Sequence, residues 1–475
     1  MPTPSADPER IGALDLIRGT AILGILLANI PWFSGTGPTS LMGTGAPEPT
    51  FPDQFVKALT LVFVDGKFVT QLAVLFGAGL ALQADRSWTA GRSFTFGYLW
   101  RTFLLFLIGA AHGLLLWFGD VLMIYACVSV AAVVFVRLRP TRLLTVAGAG
   151  LTASVAALAT MTALTLGSGR AANEDKDKDK PPPGSVATPA SLSRVVTDAF
   201  NAPADESAAR EKLVTREFQV YFSRDNQIRI YREGTYVEQL FDRALNCAFL
   251  LAAMLFTAGE LLACFLFGAT LVRCGFFSDP DVYSRWRPWL LAGGLLIGVP
   301  AEVEALILSF NGERDNMAAG PQLFGAMAVA TVYLTLLTGW AQGQRALWLQ
   351  NRLKAVGRLA LSNYLSQTVI CTTVFYSFGL GLYATMGRPA TLLVVLGVWA
   401  LQLLISPLYL RFFAIGPVEW VWRSLAQRRP LPLRRRQTVR LIPEEGVVVG
   451  AGSDPSSPTA ASAKMGDPES TPAAR

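Results

Sequence analysis

Apolar runs of about twenty residues recur along this chain of 475 residues, and they limit its fold more than any other feature. A helical run of that length matches the hydrocarbon thickness of a bilayer, about 30 Å. Backbone polar groups in lipid must be satisfied internally, so a spanning chain is helical or a closed barrel. Ten runs are present, at roughly 13–32, 60–82, 98–117, 120–137, 142–166, 247–271, 288–309, 321–341, 359–383 and 391–412. The expected class is therefore all-α: a polytopic membrane protein with about ten transmembrane helices. A hydrophobic fraction of 52 % and a mean hydropathy of +0.40 exclude an ordinary soluble domain.

The basic residues test this topology. Arg86 and Arg92 lie between runs two and three, and Arg137, Arg139 and Arg142 between four and five. Arg273, Arg285 and Arg287 follow run six, Arg345, Arg352, Lys354 and Arg358 follow run eight, and Arg423 to Arg436 follow run ten. Every second connection is basic, so the positive-inside rule puts both termini in the cytoplasm. This placement accounts for the net charge of +7 better than nucleic-acid binding does, and no nucleic-acid partner is expected. The first run carries Asp15 and Arg18 and lacks a small-residue cleavage site, so it reads as a retained span.

Four regions follow. Residues 1–166 form an N-terminal five-span region. Residues 167–242 form a polar insertion on the outer side, beginning with the alternating charges of Glu174 to Lys180 and a proline run, which reads as a partly disordered linker. Within it, residues 191–240 suit surface helices. Residues 243–425 form a C-terminal five-span region. Residues 426–475 form a cytoplasmic tail, first basic and suited to anionic headgroups, then disordered. No internal repeat is evident.

Polar groups inside the apolar runs carry the functional signal, because they are costly in a bilayer. His112 is the only histidine, and it lies in the third run. Imidazole moves protons near neutral pH; the alternative is a histidine satisfied by a neighbouring hydroxyl or carbonyl. Asp120 follows at the turn into the fourth run. Asp15 and Arg18, three apart, share a helix face and can pair; Asn29, three turns further, shares it too. By depth, Asn29, Lys67, His112 and Asp120 all fall in the outer half, where four runs would bring them to one level. Phe76 to Gly79 supply small residues for close helix contact. Glu260 requires either a buried cation or a proton. The ninth run opens on Arg358 and the polar stretch through Asn363 to Gln367, which suits a phosphate-bearing ligand or simply a polar helix start.

Other chemistries lack their residues. A single histidine cannot build a His-rich metal site, and no metal is expected. The five cysteines form no CxxC pair and read as small core residues. No Walker loop, HExxH or GxSxG is present.

The segments ERIGALDLIRGTAILGILLANI (9–30), DGKFVTQLAVLFGAGLAL (65–82) and LIGAAHGLLLWFGDVLMIYA (107–126) resemble the N-terminal half of the YeiB-like bacterial membrane proteins. GRLALSNYLSQT (357–368) and LRFFAIGPVEWVWRSL (410–425) resemble that family's C-terminal signature, domain of unknown function 418. The resemblance implies a multi-pass protein of the bacterial inner or plasma membrane. The first-span pattern is also similar to that of transmembrane acyltransferases, including heparan-alpha-glucosaminide N-acetyltransferase and bacterial O-acyltransferases. Those enzymes move an acyl group from cytoplasmic acyl-CoA to an acceptor across the membrane. In the bacterial enzymes a histidine follows the LDxxRG arginine by eleven residues; here that position is Asn29.

The resemblance thus implies an acyltransferase with no bound cofactor and acyl-CoA as co-substrate. The bilayer would be its environment, and a sugar, lipid or small molecule its acceptor. In that reading His112 is the base or transient acyl carrier, Asp120 orients it, and Asn29 or Lys67 meets the oxyanion. Arg18 with Asp15, and Arg358 with Asn363, would receive acyl-CoA. The alternative is a proton-coupled transporter or exporter using Asp15, Glu260 and His112 as relays, and a non-catalytic scaffold is the third possibility.

Overall fold

In the computed structural model, residues 11–37, 50–172, 185–201, 207–310 and 319–434 are described. They belong to one compact unit, Met1–Arg435, separate from a second unit, Arg436–Arg475. The expected linker at Glu174 to Lys180 and the tail beyond about 440 lie outside the described residues.

The described residues are helical, apart from turns and one isolated bridge between Phe413 and Arg434. The N-terminal region holds α1 (Gly12–Ser34), α2 (Phe51–Phe63), α3 (Lys67–Thr89), α4 (Thr95–Leu115), α5 (Leu122–Phe135) and α6 (Pro140–Ala172). The insertion forms α7 (Pro189–Phe200), α8 (Ser207–Tyr221) and α9 (Arg224–Arg232), and Tyr221, Ile230 and Tyr231 are buried in a core cluster rather than on a surface. The C-terminal region holds α10 (Tyr236–Arg273), α11 (Pro280–Phe310), α12 (Ala319–Gln342), α13 (Leu347–Arg358), α14 (Ala360–Phe375), α15 (Arg388–Phe412) and α16 (Pro417–Gln427).

Local chemistry sets the helix starts. Thr188 and Thr235 build capping boxes with Ser191 and Glu238, and Ser223 caps α9, so the insertion's helices begin at satisfied N–H groups. Proline stands in the first turn of α2, α7, α15 and α16, where its missing N–H leaves no helical bond unmade.

The protein is an all-α polytopic membrane protein. Among the described residues six helical segments are long and apolar enough to cross a bilayer. A seventh arises if Tyr236–Met254 and Thr257–Arg273, bent by 70°, count as one broken span. The other three expected runs fall on α5, α6 and α14. Helices α5 and α14 have 14 and 16 residues, so each rises only about 21–24 Å. Beside α5 the break at 116–121 buries Trp117, Phe118 and Asp120, and beside α14 the turn that follows buries Tyr376 and Tyr383 while exposing Phe378 and Leu380.

Helix α1 is the axis of the bundle and is buried along most of its length. It packs on α3 from the N-terminal region and on α12, α13, α14 and α15 from the C-terminal one. Helices α11 and α15 instead expose Trp289, Leu296, Leu393 and Leu404, which suits a lipid-facing perimeter. Two crossings rest on glycines. A Cβ on Gly19 would overlap the Leu353 carbonyl, and one on Gly357 the Asp15 carbonyl. Gly77 and Gly268 approach the Phe265 and Val74 carbonyls in the same way, so the small-residue run at Phe76 to Gly79 does bring α3 onto α10.

Because a backbone carbonyl cannot move aside as a side chain can, Gly77→Ala is expected to destabilise by about 1–3 kcal/mol. Gly97→Ala, with nothing within 4 Å of its Cβ, should leave the melting temperature unchanged or slightly raised. Thermal denaturation of the two variants in one detergent checks the contrast.

Candidate functional site

His112 and Asp120 meet across the break between α4 and α5. Asp120 Oδ1 lies 2.8 Å from His112 Nδ1, and Asp120 Oδ2 accepts the Met123 N–H at 2.7 Å. The carboxylate thus orients the imidazole and caps the start of α5 together. Gly109 makes the pairing possible, since a Cβ there would lie 2.5 Å from Asp120 Oδ2. His112 Nε2 lies 2.9 Å from the Thr368 hydroxyl of α14. With Nδ1–H donating to the carboxylate, Nε2 accepts from that hydroxyl. Both side chains of the pair are buried, His112 at 3 % exposure and Asp120 at 0 %.

Tyr364 stands one turn before Thr368, its ring centroid 5.2 Å from that of the imidazole. It also forms the inner wall of a cavity of about 270 Å³. Around that cavity stand Arg18, Arg101, Arg358 and Arg423, all partly buried, and Glu419. The Glu419 carboxylate accepts the Leu361 N–H at 2.7 Å, the Ser362 N–H at 3.2 Å and the Ser362 hydroxyl, capping α14. Arg101 lies over the Trp422 ring at 5.0 Å, and Trp422 Nε1 donates to the Arg101 carbonyl at 3.0 Å. These contacts fix α16 against α4. Four guanidinium groups around one partly desolvated space make a positive funnel that favours an anion.

The sequence-derived residues divide between this site and others. Arg18 and Arg358 share the cavity, and Asp15 accepts from Arg18 at 3.1 Å on the same helix face. Asn363 does not line the cavity: its amide donates to the Val356 carbonyl at 3.1 Å and the Ser406 hydroxyl at 3.0 Å, tying α13 and α15 to α14. Lys67 does not reach His112. Its ammonium is held by Glu302 of α11 at 2.6 Å and by the Leu61 carbonyl at 2.6 Å. Asn29 is half-buried and touches none of the His112 partners. The level of Thr368 on α1 is instead near Ile22, whose carbonyl accepts from neighbouring Gln367 at 3.1 Å. Asn29 lies seven residues beyond, about 10 Å along the axis. Glu260 makes no ion pair among the described residues; its N–H binds Ser154 at 3.0 Å.

Sequence reasoning missed Thr368, Tyr364, Glu419, Arg101 and Arg423 as site residues. Arg101 carried a usable signal, an arginine inside an apolar run. Thr368 and Tyr364 carried none, because hydroxyls are common in such helices. No cluster of three or more His, Cys, Asp or Glu side chains suited to a metal occurs among the described residues.

Two whole-length relatives are informative. The uncharacterised protein YxaH of Bacillus subtilis (strain 168) is 26 % identical over 443 residues, covering 92 % of this chain and 99 % of its own. The uncharacterised protein YeiB of Escherichia coli (strain K12) is 29 % identical over 435 residues, covering 89 % and 98 %. Residues 271–429 match the model of DUF418, a protein of unknown function. The chain is thus similar to the YeiB-like proteins along most of its length and carries a DUF418 segment in its C-terminal part. No solved structure matches it. The DUF418 segment supplies Arg358, Tyr364, Thr368, Glu419 and Arg423, whereas His112, Asp120, Arg18 and Arg101 come from the preceding part of this YeiB-like chain.

Proposed function

We propose that this YeiB-like protein is a transmembrane acyltransferase of the bacterial inner membrane, moving an acyl group from cytoplasmic acyl-CoA to an acceptor on the outer side. The observation that carries the reading is the four-arginine cavity that ends on Tyr364, directly against His112. At about 270 Å³ it is below the range of roughly 300–1,000 Å³ that encloses a whole drug-sized ligand. It suits the thioester arm of CoA, with the phosphates on the guanidinium groups at its mouth.

The chemistry asks little of the chain. Asp120 holds Nδ1–H, leaving Nε2 as the base. An acceptor hydroxyl replacing that of Thr368 gives Nε2 its proton while its oxygen attacks the thioester carbonyl. The thiolate of CoA leaves and takes the proton back from the imidazolium. Tyr364, between cavity and imidazole, is the donor at hand for the oxyanion, in place of Asn29 or Lys67. The acceptor is a sugar, a lipid or another hydroxyl-bearing or amine-bearing small molecule.

Equilibrium dialysis of purified protein with radiolabelled acetyl-CoA tests the reading. Wild type should bind, and Arg358→Gln should bind roughly tenfold more weakly, the loss of one charge-assisted contact. No binding to wild type, or equal binding to both, rejects it. The Lys67–Glu302 pair favours a second reading, proton-coupled transport, since a buried ion pair between two membrane helices is a common relay element.

A further inference from the structure

At the end of the bundle away from the arginine cavity, α10 begins with a buried polar stripe. Gln239, Asp242, Arg243 and Asn246 are each 0 % exposed. Burial of the Tyr231 phenol, reinforced by the Asp242 carboxylate, raises its pKa well above the ordinary value, so it stays a donor. It donates to Asp242 Oδ2 at 2.6 Å. Gln227 and Asn246 each donate to the same carboxylate at 3.0 Å. Asp242 is therefore saturated.

Arg243 is not. Its Nε donates to the Leu114 carbonyl at 2.8 Å, two residues past His112. Its Nη1 and Nη2 are buried and have no hydrogen-bond partner among the described residues. No carboxylate among the described residues lies within 4 Å of it: Asp242 serves its three donors, and Asp120 serves His112 and Met123. An amide oxygen on the same face one turn earlier, Gln239 Oε1, is likewise buried and unmet. One turn later, Cys247 Sγ lies 3.1 Å from where a Cβ on Gly113 would stand and Asp120 Cβ lies 3.7 Å from the same point, so α10 passes the His112–Asp120 pair one turn beyond Arg243. A buried guanidinium with two bare nitrogens is costly in any fold and calls for an explanation.

We propose that Arg243 is an anion-binding site, its two free nitrogens forming a fork for the paired oxygens of a carboxylate or phosphate. Tyr236 is its cover. The ring is 42 % exposed, lies 4.8 Å from the guanidinium and is held by its hydroxyl to the Leu115 carbonyl at 2.7 Å. Swinging that ring aside uncovers Nη1 and Nη2. The site stands whether or not acyl transfer occurs. If acyl transfer does occur, the site lies on the acceptor's side of His112 and selects an acceptor bearing an acidic group.

The test uses the full chain in nanodiscs at fixed ionic strength. In phosphatidylcholine discs, phosphate or acetate replacing chloride should raise the melting temperature by about 2–4 °C, saturably. Phosphatidylglycerol discs without added anion give the same rise if a lipid headgroup is the source. Arg243→Met should abolish the rise and melt higher than wild type without anion, since it removes an unmet charge. If Arg243→Met does not fold, Tyr236→Ala should bind several-fold tighter by uncovering the fork. No rise in wild type from any source, a rise kept in Arg243→Met, or unchanged binding in Tyr236→Ala overturns the proposal. Acetyl-CoA dialysis on the same samples reports separately on acyl transfer.

Discussion

His112→Ala should lower acyl transfer from radiolabelled acetyl-CoA by roughly 10²–10⁴-fold, the usual contribution of a general base. The chain contains no second imidazole to replace it. The substitution also removes the partner of Asp120 Oδ1 and of the Thr368 hydroxyl, so stability has to be measured beside activity. Acetyl-CoA binding supplies the distinction: the arginine cavity does not include His112, so dialysis should give the wild-type affinity. A variant that binds acetyl-CoA and fails to transfer supports the base. One that transfers normally removes His112 from the mechanism and leaves it a buried histidine satisfied at both nitrogens.

Glu302→Leu should destabilise by about 3–5 kcal/mol. Lys67 is 0 % exposed and Glu302 2 %, so removing the carboxylate leaves an ammonium in the apolar interior whose hydrogen-bond acceptor among the described residues is the Leu61 carbonyl. The double variant Lys67→Met, Glu302→Leu should recover most of that loss, because two apolar chains of similar size replace both charges. Thermal denaturation of the two single variants and the double closes the cycle. If the pair also relays protons, as the transport reading requires, the recovered double variant will be folded yet inactive in proton-coupled uptake. Retained uptake would remove the pair from any relay.

Much of the fold was legible in the sequence, because lipid leaves so few solutions. Each of the ten apolar runs falls on a helix, and the polar segment 191–240 is helical as well, although α8 and α9 bury Tyr221, Ile230 and Tyr231 in the core. The pairing of His112 with Asp120 across a six-residue turn was within reach too, whereas the shared level assigned to Asn29 was not, since it stands about 10 Å along α1 from the His112 partners. Azimuth was not legible. Lys67 and His112 look alike in sequence, each a polar group in an outer half-span, yet α3 turns Lys67 toward α11 while α4 turns His112 toward α14. Hydropathy reports distance from the membrane surface and says nothing of rotation about a helix axis. Only contacts far apart in sequence set that rotation, such as the approach of Gly357 to Asp15. Arg423 shows the same limit, since a residue that serves the positive-inside pattern also serves the cavity.

The Gly19–Gly357 crossing also bears on how the protein is made. The central helix leaves the ribosome more than three hundred residues ahead of its close partner. At about 5–20 residues per second the delay is tens of seconds. For that interval the glycine face of α1 and the flank bearing Asp15 and Arg18 stand in the membrane without α13 and α14. The expected consequence is that an insertase or chaperone shelters α1 until the DUF418 segment arrives. A ribosome stalled before residue 347 should leave a species that cross-links to that machinery and is degraded when released.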